Sequence, residues 1–255
     1  MTATQADTGN WSFPNRFTPI GSAAYYAIRF APEATRHRHA LLFAWHELIM
    51  QVCEPLGDPD AARLKLVWWR RKIARIQDGK ASHPLAVRLQ ENDLGDDMPA
   101  LMGAVVDVAE DEIRQSVLLD DNTFVAACRN GLGSIFRLLD PNRGSANQDL
   151  GGYCAAVERI RHQGQFPQRV PAHLRHPESH TKRARTERID GLLERFVAAD
   201  PAATAAVPDF TRRMTALARA MQYKMRRQGY PASGPAVERA PIAHLWTAWR
   251  SRRVF

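Results

Sequence analysis

Apolar residues recur along this chain at the spacing of an α-helix and almost nowhere at the spacing of a strand. Leu41, Leu42, Trp45, Leu48, Ile49 and Val52 stand at i, i+1, i+4, i+7, i+8 and i+11, one wide stripe. Pro32 before it and the Pro55–Gly57–Pro59 cluster after it bracket a helix over 33–54. Ala62, Leu66, Trp69, Ile73 and Ile76 then alternate steps of four and three, and the run stops at Asp78-Gly79. The same periodicity predicts helices over about 84–92, 99–118, 121–140, 147–163, 186–199, 209–228 and 240–251. Asp121 is the expected N-cap of the helix over 121–140, with Pro141 as its stop. No sustained alternation of β-branched and aromatic residues occurs. An all-α fold follows, its helices packed as a bundle.

Composition narrows the class. At 255 residues, 45% of them hydrophobic and 24% charged, the chain is long enough to bury a sizeable core and is not a disordered one. Cys53, Cys128 and Cys154 are too few and too scattered for a disulfide framework or a paired-cysteine metal site. The richest apolar stretch, Leu41–Met50, is broken by His46 and Glu47 and falls short of the ~20 residues a bilayer span needs. The first residues, MTATQADTGNWSF, lack a basic segment followed by an apolar one, and Asp7 argues against a transit peptide. A cytoplasmic protein is expected. One compositional break, Gln163–Arg188, holds Pro167, Pro171, Pro177, His173, His176, His180 and the string Lys182-Arg183-Ala184-Arg185. It reads as a loop, or a loop with a short helix.

Several motifs have a simpler reading beside the chemical one. His46-Glu47-Leu48-Ile49-Met50 misses the zinc-protease pattern because Met50 occupies the place of the second imidazole. His46 and Glu47 then read as polar positions flanking Trp45. Arg36-His37-Arg38-His39 reads as a solvated face rather than a metal site shared with His46. Cys128 and Cys154 read as small core residues. The net charge of +8 and the basic stretch 173–185 have no helix-turn-helix, finger or aromatic platform beside them, so nucleic acid is not the expected partner. Trp246, Trp249, Arg250, Arg252 and Arg253 would suit a lipid headgroup boundary. A core-docked final helix with a basic end is the simpler expectation.

Ser22-Ala23-Ala24-Tyr25-Tyr26-Ala27 is followed by Pro32 and Arg36, then Leu41-Leu42-Phe43-Ala44-Trp45, then Arg63 through Trp68-Trp69-Arg70. This order resembles the squalene/phytoene synthase family of head-to-head prenyl synthases. Arg161 through Arg169-Val170-Pro171 stands where that family has a conserved-looking turn, and Ala240–Arg250 resembles its closing helix. The resemblance implies an isoprenoid-synthase-like helical bundle around a central cavity, with residues 1–20 an extension and 21–255 a single domain. It also implies two facing aspartate-rich motifs that hold Mg²⁺ against a prenyl diphosphate.

Those aspartates are missing. Matching Leu41–Trp45 to the family's pattern places the first motif at Met50, Gln51 and Glu54, and matching Arg161 places the second at His162 and Phe166. Methionine, histidine and phenylalanine are poor partners for a hard cation, and an unneutralised diphosphate in an apolar cavity costs many kcal/mol. Arg29, Arg36, Arg63 and Arg159 are candidates to replace part of that charge. Phe43–Gln51, with Glu47-Leu48 and Gln51, His83-Pro84-Leu85-Ala86 and Trp249-Arg250 resemble a degenerate branch, the phytoene-synthase-like mitochondrial complex I assembly factor. By that resemblance the chain is a non-catalytic binding or assembly protein with no metal or cofactor. Its implied partners are a prenyl or lipid-like ligand in the cavity, a protein, and the inner face of a membrane as a peripheral contact. The candidate pocket residues are Tyr25, Tyr26, Arg36, Glu47, Met50, Gln51, Glu54, Arg63, Arg159 and His162. The alternative is an active prenyl transferase that uses Mg²⁺ on Glu47, Glu54 and Asp58 or Asp60, with Tyr25 and Tyr26 steadying the diphosphate.

Overall fold

A computed structural model describes residues 11–53, 58–92, 94–114, 119–140, 144–175, 181–196 and 209–251. Among them every regular element is a helix: α1 (Ala23–Arg29), α2 (Glu33–Gln51), α3 (Pro59–Gln77), α4 (Pro84–Gln90), α5 (Met98–Arg114), α6 (Asp121–Cys128), α7 (Ser134–Leu139), α8 (Gly144–Arg161), α9 (Ala172–Arg175), α10 (Lys182–Glu194), α11 (Asp209–Gln228) and α12 (Pro241–Arg250). No described helix is long and apolar enough to cross a membrane.

The expected stripe on α2 understates that helix. Residues from His39 to His46 are all buried, with Ile49, so the middle of α2 is buried all round rather than along one stripe. It is the axis of the bundle. Trp45 meets Trp69 of α3 edge-on at 6.3 Å, while Phe43 joins Phe136 of α7 and Phe210 of α11 in one aromatic cluster. His39 belongs to that cluster, 4.4 Å from the Phe210 ring, and its Nδ1–H donates to the Thr35 carbonyl. The Arg36–His39 segment is therefore only partly the solvated face expected of it. Cys128 and Cys154 are buried, as small core residues should be.

Local chemistry sets the ends. Ser22 caps α1 through the Tyr25 amide, and Asp58 caps α3 through that of Asp60. The cap of α6 is Asp120, which accepts from Thr123 N at 2.7 Å, one residue before the expected Asp121. The expected helix 121–140 is broken: Arg129–Gly133 form a wide π turn in which Gly131 leaves helical ψ (φ −79°, ψ −108°). Glycine is needed where this turn meets α8. A Cβ on Gly151 would lie 2.8 Å from Gly133 Cα, and one on Gly133 would lie 2.5 Å from the Gln148 carbonyl.

Two further expectations change. The basic string 182–185 opens α10, capped by Thr181, and Arg185 is buried, donating to the carbonyls of Tyr230 and Leu174 and to Gln163 Oε1. That arginine ties segments together and does not await a phosphate. His176, Pro177, His180 and Pro141 lie outside the described residues. The last helix is not core-docked: Ala248 is its single buried residue, and Ile242, Leu245 and Trp246 are 73%, 37% and 58% exposed. It lies across the surface of α1 and α11. Arg252 and Arg253 lie outside the described residues.

Candidate functional site

Enclosing α2 leaves space on one side of it. A cavity of about 360 Å³ opens between α2, α5, the π turn and α8. Its walls are His46, Glu47, Met50 and Gln51 from α2, Glu112 from α5, Gly131 and Leu132 from the π turn, and Ala155, Glu158 and Arg159 from α8 with His162 just past its end, closed by Phe166 and Arg169. A second cavity of about 470 Å³ adjoins it and runs toward α1, α11 and α12. Glu47, Leu132 and Glu158 line both, so they form the partition. The second space includes an apolar wall of Phe43, Met214, Leu217 and Met221. Each volume lies in the range of small-molecule sites.

Charge in the first cavity is internally matched. Glu112, its side chain 5% exposed, reaches Arg159 through Oε1 and Arg169 through Oε2 at 2.9 Å. That negative partner holds the Arg159 guanidinium charged against the opposing effect of its own burial. Glu158 pairs with Arg161 at 2.8 Å, and its backbone carbonyl accepts from His162 Nδ1 at 3.1 Å. Glu47 accepts from His46 Nδ1 at 3.3 Å. Burial pushes Glu47 up, but the hydrogen bond and charge of His46, with the field of Arg169, hold it below the ordinary carboxylate range. Arg159 Nη1 and Arg169 Nη2 are buried without a hydrogen-bond partner among the described residues. Cys53, near the same cluster, donates its thiol to the Ala109 carbonyl and is pushed up to about 12 by burial, so it is no nucleophile.

Five of the sequence candidates come together here: Glu47, Met50, Gln51, Arg159 and His162. Phe166, the second position matched to the missing motif, is with them. The other described candidates stand elsewhere. Tyr26 is in the core, and Tyr25 stacks on Phe13 at 5.3 Å. Arg36 donates Nε to the Ala31 carbonyl at the start of α2, and exposed Arg63 pairs with Asp60 on the outer turn of α3. Asp58 is spent as a helix cap. Glu54 lies outside the described residues.

Residues 19–139 match the model of the squalene/phytoene synthase family. Over that stretch, 121 of the 255 residues, the chain is similar to the family. No curated protein matches it. The match ends with α7, so α8, which carries Glu158 and Arg159, and His162 just after it lie beyond the matched residues.

The squalene/phytoene synthase family implies magnesium, and the donors in this cavity do not fit it. No group of three or more His, Cys, Asp or Glu among the described residues is arranged to hold a metal. All three cavity glutamates are already engaged by basic side chains, and the remaining candidates are a thioether, an amide and imidazoles. Three wall residues escaped the sequence reading: Glu112, Glu158 and Arg169. Glu112 follows Val105, Val108 and Ala109 at seven, four and three residues, and Glu158 follows Gly151, Cys154 and Ala155 likewise. An acid that continues an apolar face was the available signal.

Proposed function

We propose that this squalene/phytoene synthase-like chain is a binding protein that has given up metal-dependent prenyl transfer, in keeping with the degenerate branch its sequence resembles. The observation that carries the reading is Glu112 shared between Arg159 and Arg169. A carboxylate bound to two guanidinium groups is a poor magnesium anchor, and its arginines are half-neutralised as diphosphate receptors. The ligand that suits such a place has an apolar chain for the methionine- and phenylalanine-lined space and a small acceptor head for the unpartnered Arg159 and Arg169 nitrogens. A prenyl alcohol or a lipid-like relative answers that description.

The test is direct. Purified protein incubated with farnesyl or geranylgeranyl diphosphate and Mg²⁺ is expected to yield no condensed product, while farnesol binds and raises the melting temperature. Turnover of either diphosphate would refute the reading. One observation favours a second reading, an active prenyl transferase: glutamates from three helices do reach a single cavity. On that reading Glu47→Gln and Glu158→Gln each abolish Mg²⁺-dependent turnover.

A further inference from the structure

Helix α3 buries Ala62, Leu66, Trp69, Ile73 and Ile76 and carries a second apolar row on its outer side. Leu64, Val67 and Trp68 are 71%, 41% and 39% exposed. They stand at i, i+3 and i+4, and exposed Arg71 continues the row at i+7. Trp68 is fixed in place. Trp69 meets it edge-on at 4.9 Å and His83 at 5.2 Å, and Lys72 Nζ lies over its ring at 4.9 Å. An aromatic side chain held this way loses little entropy when something packs on it. No α3 residue lines either cavity, so the ligand site makes no use of this row. An exposed apolar row around a fixed tryptophan marks an interaction site.

Charge selects the occupant. α3 holds six bases, Arg63, Lys65, Arg70, Arg71, Lys72 and Arg75, against one acid, Asp60. Arg63 is paired with Asp60, and Arg70 with Asp107 and Glu110 of α5. Exposed Lys65 and Arg71 form no ion pair among the described residues. Arg71 lies in line with the apolar row, so whatever covers Leu64 and Trp68 also covers Arg71 and must supply its counter-charge. A nucleic acid brings phosphate but offers Leu64 no apolar partner. A second α3 would set six bases against six, with a single acid on each side. An amphipathic helix with leucine-like side chains on one face and carboxylates beside them meets both demands, packing along α3 ridge into groove. We propose that the outer face of α3 docks an acidic amphipathic helix of a partner protein.

The probe is a synthetic helix of about 20 residues, the length of α3, with leucines repeating at i, i+3, i+4 and i+7 and glutamates on both flanks. Fluorescence anisotropy of the labelled peptide against the full chain is expected to show binding that salt weakens. A peptide of the same composition with scrambled spacing should bind roughly tenfold more weakly or worse. Leu64→Asp and Arg71→Glu should each weaken the glutamate peptide by roughly tenfold or more. Both side chains are exposed, so the far-ultraviolet spectrum and farnesol binding should not change. Arg71→Glu with Lys65→Glu should exchange the preference, taking a lysine-flanked peptide in place of the glutamate-flanked one. No binding of the glutamate peptide, or equal binding by Leu64→Asp, overturns the proposal. So does a native dimer that Leu64→Asp dissociates, or an oligonucleotide or anionic vesicle that binds through Arg71 while the peptide does not. A chain that takes the peptide but no farnesol sinks the ligand reading and leaves this face standing; the converse result does the reverse.

Discussion

Glu112 is the residue whose removal the molecule should feel most. Its carboxylate is the shared counter-charge of two guanidinium groups that are themselves largely buried. Truncating one member of a buried ionic cluster leaves the rest uncompensated, at about 3–5 kcal/mol. Glu112→Leu is expected to lower the unfolding free energy measured in urea by that much, and Glu112→Leu with Arg159→Leu by less than the sum of the single changes. Additive losses would mean that the ion pair does not couple the two helices. His39 makes a different prediction. Burial drives its pKa from 6.5 to about 4, assisted by Arg38 and Arg213 and opposed by the Thr35 carbonyl. Above pH 6.5 the ring is neutral in both folded and unfolded chains, and the stability is complete. Between 6.5 and 4 the unfolded chain takes a proton that the folded one refuses, so stability falls as pH falls, by up to about 3 kcal/mol. Urea unfolding at pH 7.5, 6.0 and 4.5 should show His39→Gln losing less over this window than the native chain. Parallel curves would contradict the assignment.

The π turn and α8 approach each other through glycine, and this element pair predicts a contrast. Gly151→Ala drives a methyl group to 2.8 Å from both Gly133 Cα and Phe136 Cγ, an overpacking cost of about 1–3 kcal/mol. Gly191, on the exposed face of α10, has nothing within 4 Å of the same methyl group, so Gly191→Ala should stabilise by about 0.5–1 kcal/mol. Thermal melts of the two variants should move in opposite directions. Elements differ likewise in how legible they are. The sequence reading of α11 as 209–228 agrees with its observed bounds, because twenty residues repeat one face. The seven-residue α1 has no such repeat, and its signal is a cap, Ser22, rather than a stripe. The start of α10 is hidden because the prolines and histidines before it suggest a loop, while Thr181 alone marks the cap. In the cavity, Glu47, Met50 and Gln51 are legible through the family resemblance, which matches one short run on α2. Glu112 and Arg169 are not, since their partnership joins positions 57 residues apart in the chain.

At the scale of the whole molecule, the partition between the two cavities decides what length of ligand the bundle houses. Leu132 stands in the π turn and walls both spaces, while its fellow partition residues, Glu47 and Glu158, are held by His46 and by Arg161. Of the three, only Leu132 can be shortened without stripping a partner from a charge. Leu132→Ala should join the apolar depth beside α11 to the arginine-bearing chamber beside α5. A chain that already fits one space gains little from that. A longer one gains ~0.8 kcal/mol for each further methylene that leaves water, about fourfold in affinity. Geranylgeraniol should therefore bind Leu132→Ala more tightly than the native chain, farnesol should change little, and Leu132→Trp should reverse the preference. Calorimetric titration of both alcohols into the three proteins reads the ratio directly. If the ratio is the same in all three, the two spaces do not serve one ligand, and the acceptor head assigned to Arg159 and Arg169 must belong to a molecule that lies wholly within the smaller chamber.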